Sequence, residues 1–111
     1  MKVSLTDNFV NFMRDSFPSL TKAEEAIFEV TGITLEQMRS KRRYLHFSHA
    51  RAVFWSLCAK EVSPHIYLAS YLNRDHSTGY KYEYDYMNEH QYDNVFQSMY
   101  VKVKEVFDSK K

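Results

Sequence analysis

Residues 48–78 read SHARAVFWSLCAKEVSPHIYLASYLNRDHST, and this stretch decides the fold. Its first half predicts a long helix from Ser48, because apolar residues recur at helical spacing and the stripe fades at Glu61. The stripe consists of Ala50, Val53, Phe54, Leu57 and Cys58. Ser63-Pro64 ends this helix and begins a short one, since proline is tolerated in a first helical turn. The short helix runs to Leu72, and we expect its inward residues to be Ile66, Ala69 and Leu72.

The end of the same stretch predicts a second helix after a tight turn. Asn73-Arg74 forms the turn, and Asp75 is a suitable N-cap for a helix that begins at His76. Two helices joined by a short turn, with Ala69 as the small residue where they cross, have the outline of a helix-turn-helix. The second helix would begin with short polar side chains that can contact base edges, while cations nearby can contact phosphates. The base-contacting residues are Asp75, His76, Ser77 and Thr78, and the phosphate-contacting cations are Lys60 and Arg74.

The segments on either side are also helical in pattern. Ser4 can cap a first helix that ends near Phe17-Pro18. A capping box at residues 21–24 predicts the start of a second helix, which Gly32 ends. Another capping box at residues 34–37 predicts a short helix that ends near Arg39.

The last third contains one ambiguous segment and one clear helix. Tyrosines alternate with charged residues over 80–86, which is a strand-like period, but no other segment alternates in this way to pair with it. We therefore predict a helix there. Apolar residues from Tyr92 to Phe107 keep helical spacing. The whole chain, residues 1–111, is predicted to be a single-domain, all-α helical bundle that contains a helix-turn-helix.

Composition excludes several classes of protein. A chain of 111 residues with 44% hydrophobic residues can form one globular domain. It has no apolar run long enough for a membrane span and no signal-peptide pattern. Its single cysteine, Cys58, and two glycines leave no disulfide, no Cys-rich zinc module and no phosphate-binding loop. We expect a cytoplasmic protein with no cofactor, no nucleotide and no membrane partner.

The charge is unevenly distributed along the chain. The net charge is only +1, but residues 39–81 contain eight basic and two acidic residues, a net +6. Residues 1–38 carry a net −3 and residues 82–111 a net −2. A basic middle segment is what a polyanion-binding face requires, although a solvated charged surface with no partner would give the same distribution of net charge along the chain.

The run Arg74-Asp75-His76-Ser77-Thr78 resembles the signature of the C-terminal DNA-binding domain of the bacterial replication initiator DnaA. Residues 32–38 followed by Ser40-Lys41-Arg42-Arg43 resemble the short helix and basic loop of that family. Residues 50–51 and 59–62 resemble the start and end of its long helix, and Leu68-Ala69 stands where the family has an apolar residue and a glycine. The similarity covers residues 24–90, so residues 91–111 form an additional C-terminal helix. Gly79 departs from the family, which has a branched apolar residue there, and these 111 residues contain no counterpart of the family's ATPase domain.

The resemblance implies a fold related to the Trp repressor, with a helix-turn-helix in the major groove and an arginine of the basic loop in the adjacent minor groove. By position, Arg43 is that arginine, and His65 and Ile66 lie near the DNA backbone or a thymine methyl group. The full set expected to contact DNA is Lys41, Arg42, Arg43, Arg51, Lys60, His65, Ile66, Arg74, Asp75, His76, Ser77 and Thr78. The expected function is sequence-specific binding of double-stranded DNA, associated with the nucleoid of a bacterium or used by its phage, to regulate replication or transcription.

Other functions have weaker signals. No catalytic constellation is visible: Glu24, Glu25 and Glu29 are interpreted as a helix surface, and Ser56, Cys58 and Trp55 as packing. His46 and His49 have no third ligand nearby, so no metal site is expected. The alternative function is a protein-interaction module that binds or inhibits a host replication factor without contacting DNA. A stripe on the C-terminal helix either packs on the chain's own core or forms a homodimer; it consists of Tyr92, Phe96, Met99, Val103 and Val106.

Overall fold

The structure is a computed structural model that describes residues 5–74 and 85–110, with side chains from residue 8 onward. These residues form helices and no strands, so the prediction of an all-α fold is confirmed. None of the described helices is long and apolar enough to cross a membrane. The helices are α1 (Leu5–Ser16), α2 (Pro18–Thr31), α3 (Leu35–Arg39), α4 (Leu45–Cys58), α5 (His65–Tyr71), α6 (Met87–Glu89) and α7 (Asn94–Ser109).

Helix α4 is the centre of the bundle. It packs against α2, α3 and α7, and α1 packs on α2 and α5. Because other helices surround α4, both Phe54 and Trp55 are buried although they are adjacent in sequence and point in different directions. The predicted stripe of buried residues on one side of this helix was therefore too narrow. The helix also begins at Leu45, three residues before the predicted Ser48, and ends at Cys58. Burying an aromatic side chain of this size contributes about 1.5–3 kcal/mol, so α4 supplies much of the core energy.

Helix α2 begins earlier than its sequence suggests. The predicted capping box at residues 21–24 is wrong, because Pro18 occupies the first turn and places Thr21 inside the helix. The predicted end is confirmed: Gly32 has φ 77° and its N–H donates to the Phe28 carbonyl at 2.8 Å. The second capping box is confirmed, with reciprocal hydrogen bonds of 3.2 and 2.9 Å between Thr34 and Gln37.

Helix α5 ends in the tight turn that the sequence predicts. Asn73 has a left-handed φ of 56°, and the Arg74 N–H donates to the Ala69 carbonyl at 2.8 Å. Ala69 and Leu72 are buried as predicted, but Ile66 is 49% exposed and its predicted inward position is wrong. The helix predicted from His76, and most of the tyrosine segment, lie outside the described residues.

Helix α7 packs on α2 and α4 through the stripe that could also have formed a dimer. Phe96 and Val103 are buried within the chain, and Met99 and Val106 are half-buried against the same core. Only Tyr92, at 88% exposure, projects away from it. The stripe therefore completes the chain's own core.

Candidate nucleic-acid interface

The loop between α3 and α4 presents three cations to solvent. Lys41, Arg42 and Arg43 are all exposed, and no acidic side chain of the described residues pairs with them. The Arg42 guanidinium lies 6.0 Å from the centroid of the Tyr44 ring, close enough for a weak cation–π contact. We call residues 40–44 the basic loop.

The backbone of the basic loop rests on a buried arginine of α4. The Arg51 guanidinium donates from Nε to the Met38 carbonyl at 2.7 Å, and from Nη2 to the carbonyls of Ser40 and Arg42, both at 2.9 Å. Only 2% of Arg51 is exposed. The expectation that Arg51 contacts DNA is therefore corrected, because its side chain is used inside the protein to hold the loop.

A second group of contacts joins the basic loop to the end of α5. Arg74 Nη2 donates to the Ser40 carbonyl, and Arg39 Nη1 donates to the Tyr71 carbonyl. Asn73 Nδ2 adds a hydrogen bond of 3.3 Å to the Arg39 carbonyl. The turn that directly precedes Asp75 and the start of the basic loop are thus held together as one unit. Arg74, expected at a phosphate, is half-buried in this contact.

Three of the other expected DNA-contacting residues lie near the far end of α4. Lys60 is exposed just after that helix, and Ile66 is exposed in the first turn of α5. His65 is half-buried, with Nε2 3.2 Å from the Ala59 carbonyl. A helix of 14 residues separates Lys60 from the basic loop by about 20 Å, which is about six base pairs of duplex. Asp75, His76, Ser77 and Thr78 lie outside the described residues.

Comparisons of the chain with models of protein families, with curated proteins and with solved structures found no match. Neither the resemblance to the DnaA domain nor DNA binding gains support from a relative. Function has to be inferred from the basic loop, from the side chains that anchor it and from the neighbouring residues.

One polar cluster was missed by the sequence analysis. Arg14 donates from Nη2 to Glu24 Oε1 at 2.6 Å and from Nε to the Tyr71 hydroxyl at 3.1 Å, and that hydroxyl donates to Glu24 Oε2. The hydrogen bond to Glu24 raises the pKa of Arg14, and burial raises the pKa of Tyr71. The interpretation of Glu24 as plain helix surface was wrong, because the cluster joins α1, α2 and α5. The hydroxyl of a buried tyrosine normally has a hydrogen-bond partner. A tyrosine such as Tyr71 near the end of an apolar helix was therefore the feature of the sequence that could have indicated this cluster.

A second missed cluster surrounds His49. Its Nδ1 is 2.7 Å from the Tyr86 hydroxyl, and its Nε2 is 3.6 Å from Asp93 Oδ2. Burial lowers the pKa of His49, and the Asp93 carboxylate opposes that shift. Arg74 and Tyr86, which flank residues 75–84, are therefore tied respectively to the basic loop and to α4. No group of three His, Cys, Asp or Glu side chains among the described residues could hold a metal ion.

Proposed function

We propose that the protein binds double-stranded DNA sequence-specifically, with the basic loop in the minor groove and residues 75–78 in the adjacent major groove, to regulate replication or transcription. The observation that carries the proposal is the convergence of Arg51 and Arg74 on the Ser40 carbonyl. These contacts fix the loop relative to the residue that precedes the predicted major-groove segment. Contacting two adjacent grooves at once needs such a fixed spacing, because ordering a loose loop on binding would weaken affinity.

The electrostatics of the loop also favour a polyanion. Burying an arginine carries a large desolvation cost, and the carbonyl contacts that help to offset this cost for Arg51 also hold the loop in place. The same loop then exposes Lys41, Arg42 and Arg43 close together, with no acidic partner among the described residues. DNA phosphates supply the missing negative charge, and each phosphate contact releases a condensed counterion.

The first test is binding to duplex DNA. Selection from a random duplex pool should enrich one sequence, and anisotropy titrations should show an affinity that falls steeply with salt. Lys41→Ala and Arg42→Ala should weaken all duplexes alike and reduce the salt slope by about one unit each. Lys102→Ala, which removes an exposed cation from α7, is the control and should change neither. No enrichment, or salt-insensitive binding to a protein partner alone, would overturn the proposal in favour of an interaction module.

The second test separates the two grooves. Arg43→Lys keeps the charge but removes the planar, weakly hydrated guanidinium, so affinity should fall on sites with an AT-rich flank and change little on GC-rich ones. His76→Ala and Thr78→Ala should each cost about 1–3 kcal/mol on the selected site and little on random duplex. Equal losses on both kinds of DNA would remove these residues from base recognition.

A further inference from the structure

A groove of about 1080 Å³ opens between α1, α2 and α3. Apolar side chains line part of it, from Val10, Phe28 and Leu35. Its acidic lining residues are Glu24, Glu25, Glu29 and Glu36, of which the last three are exposed. Its two basic lining residues, Arg14 and Arg39, are already bound to Glu24 and to the Tyr71 carbonyl. The groove therefore presents apolar surface and negative charge to an incoming segment.

The chain itself shows what the acidic side of this groove accepts. Lys110, from the C-terminal end of the described residues, places its Nζ 3.1 Å from Glu29 Oε1 and 3.4 Å from Glu25 Oε2. An ammonium group from outside would meet the same two carboxylates. Lys110 is thus an internal competitor for any cationic segment that enters.

We propose that the groove binds the basic loop of a second copy of this chain. The loop has the complementary chemistry: three exposed cations at 41–43 are followed by Tyr44 and Leu45, which are 53% and 60% exposed. Three exposed carboxylates would face three cations, and the apolar lining would cover the two apolar side chains. The net −3 of residues 1–38 and the net +6 of residues 39–81 favour the same pairing over longer distances.

The geometry favours a closed pair. Arg39 and Ser40 line the groove, and Ser40 is the first residue of the basic loop, so groove and loop are neighbours on one face. A two-fold axis through such a face places each loop in the other copy's groove, an isologous arrangement that closes at two. A loop cannot fold into its own groove, because Arg51 and Arg74 hold its backbone against α4 and α5. The exposed ion pairs make the association weak and salt-sensitive.

A loop seated in a groove is not available to DNA. Duplex DNA and self-association then compete for Lys41, Arg42 and Arg43, which would keep unbound protein in an inactive pair. This regulatory consequence rests on the proposed function, whereas self-association itself does not.

The deciding experiment is complementation between two variants, followed by sedimentation equilibrium at low salt. Glu25→Gln/Glu29→Gln alters the groove, and Arg42→Ala/Arg43→Ala alters the loop. Each variant alone should associate about 4- to 900-fold more weakly than the wild type, because each of the two loop–groove contacts in the pair loses two exposed ion pairs. An equal mixture should associate more tightly than either alone, because intact loops meet intact grooves. Lys110→Ala should associate more tightly than the wild type, since the internal competitor is removed.

Two control variants on α7, Glu105→Gln and Lys102→Ala, each make one charge change of the corresponding sign at an exposed position outside the groove and should behave as the wild type. A wild type that stays monomeric at every concentration in low salt would overturn the inference, as would a mixture no tighter than its components. Adding the selected duplex should dissociate the pair, and a pair that persists on DNA would overturn the shared use of the loop. If the chain self-associates but binds no duplex, the inference stands and the proposed function fails; if it binds duplex and never self-associates, the reverse holds.

Discussion

Replacing Arg51 by methionine should remove the support of the basic loop while nearly keeping the side-chain volume. The Met38 carbonyl loses a buried, charge-assisted hydrogen bond of 2.7 Å, a contact that contributes about 1.5–3 kcal/mol. The Arg42 carbonyl lies in an exposed residue and regains water, so its loss costs at most about 1 kcal/mol. The Ser40 carbonyl keeps its hydrogen bond from Arg74. We expect the free energy of unfolding to fall by about 1.5–4 kcal/mol, or Tm by about 6–16 °C.

Removing a buried charge also relieves desolvation, but this does not reverse the sign. A buried ion pair can be replaced without loss when both partners become apolar. In this protein Arg51 binds backbone carbonyls of α3 and of the basic loop, and no substitution removes a backbone carbonyl. The stability of Arg51→Lys should lie between those of the wild type and Arg51→Met, because one ammonium group reaches fewer of these carbonyls than a guanidinium does.

Urea unfolding followed by circular dichroism measures this effect directly. Lys60→Met is the control, because it removes an exposed cation just after the same helix and should stay within about 0.5 kcal/mol of the wild type. An Arg51→Met protein as stable as this control would refute the reasoning. The folded variant should also bind duplex DNA more weakly, since its loop must be ordered on binding.

Three further predictions concern the scaffold. Phe96→Ala should lower the free energy of unfolding by about 3–5 kcal/mol, and in high salt the melting temperature of the wild type should not vary with protein concentration; a variation there would place α7 in a dimer instead. Because burial lowers the pKa of His49, the unfolded chain takes up that proton first, so the wild type should lose stability as pH falls below about 6.5. Urea titrations from pH 8 to 5 should show a smaller loss for His49→Gln than for the exposed control His46→Gln, and equal slopes would exclude His49 as the cause. Gly32→Ala should cost about 1–2 kcal/mol in thermal melts through its φ of 77° alone, since nothing lies within 4 Å of the added carbon; an unchanged Tm would contradict this.

Local sequence signals predicted the ends of the helices well where a residue has a single local role that its neighbours in sequence determine. Gly32 ends α2 because it adopts a left-handed backbone, and Thr34 with Gln37 forms a reciprocal cap. The box at residues 21–24 has the same kind of pattern, a threonine followed three residues later by an acid or amide, but no cap forms there because Pro18 starts the helix one turn earlier. A capping pattern marks a residue at which a helix could begin. Tertiary packing determines at which of these possible residues the helix does begin.

The loop's supports could not be found in this way. Arg51 is recognised by carbonyls 9 to 14 residues away, and every residue has a carbonyl, so no side-chain pattern records the contact. The resemblance placed Arg51 in the set expected to contact DNA, and a match of residue types cannot distinguish a buried cation from an exposed one. The interpretation of Glu24 as helix surface was wrong for a similar reason, since its partner Tyr71 lies 47 residues away in the sequence. The exposed cations 41–43 were predicted correctly to lie in a loop because nothing in the core could accept them.

The anchoring of the basic loop has a consequence for how this protein can evolve. Arg51 and Arg74 bind the main chain, so the grip does not depend on which side chains the loop carries. Substitutions at 41, 42 and 43 can therefore accumulate with little effect on folding, and each one alters the charge and shape of an exposed surface. Natural variation can therefore change this surface while the anchoring arginines keep the loop in place. Laboratory libraries randomised at the same three positions can do so too, with the fold as a constant background.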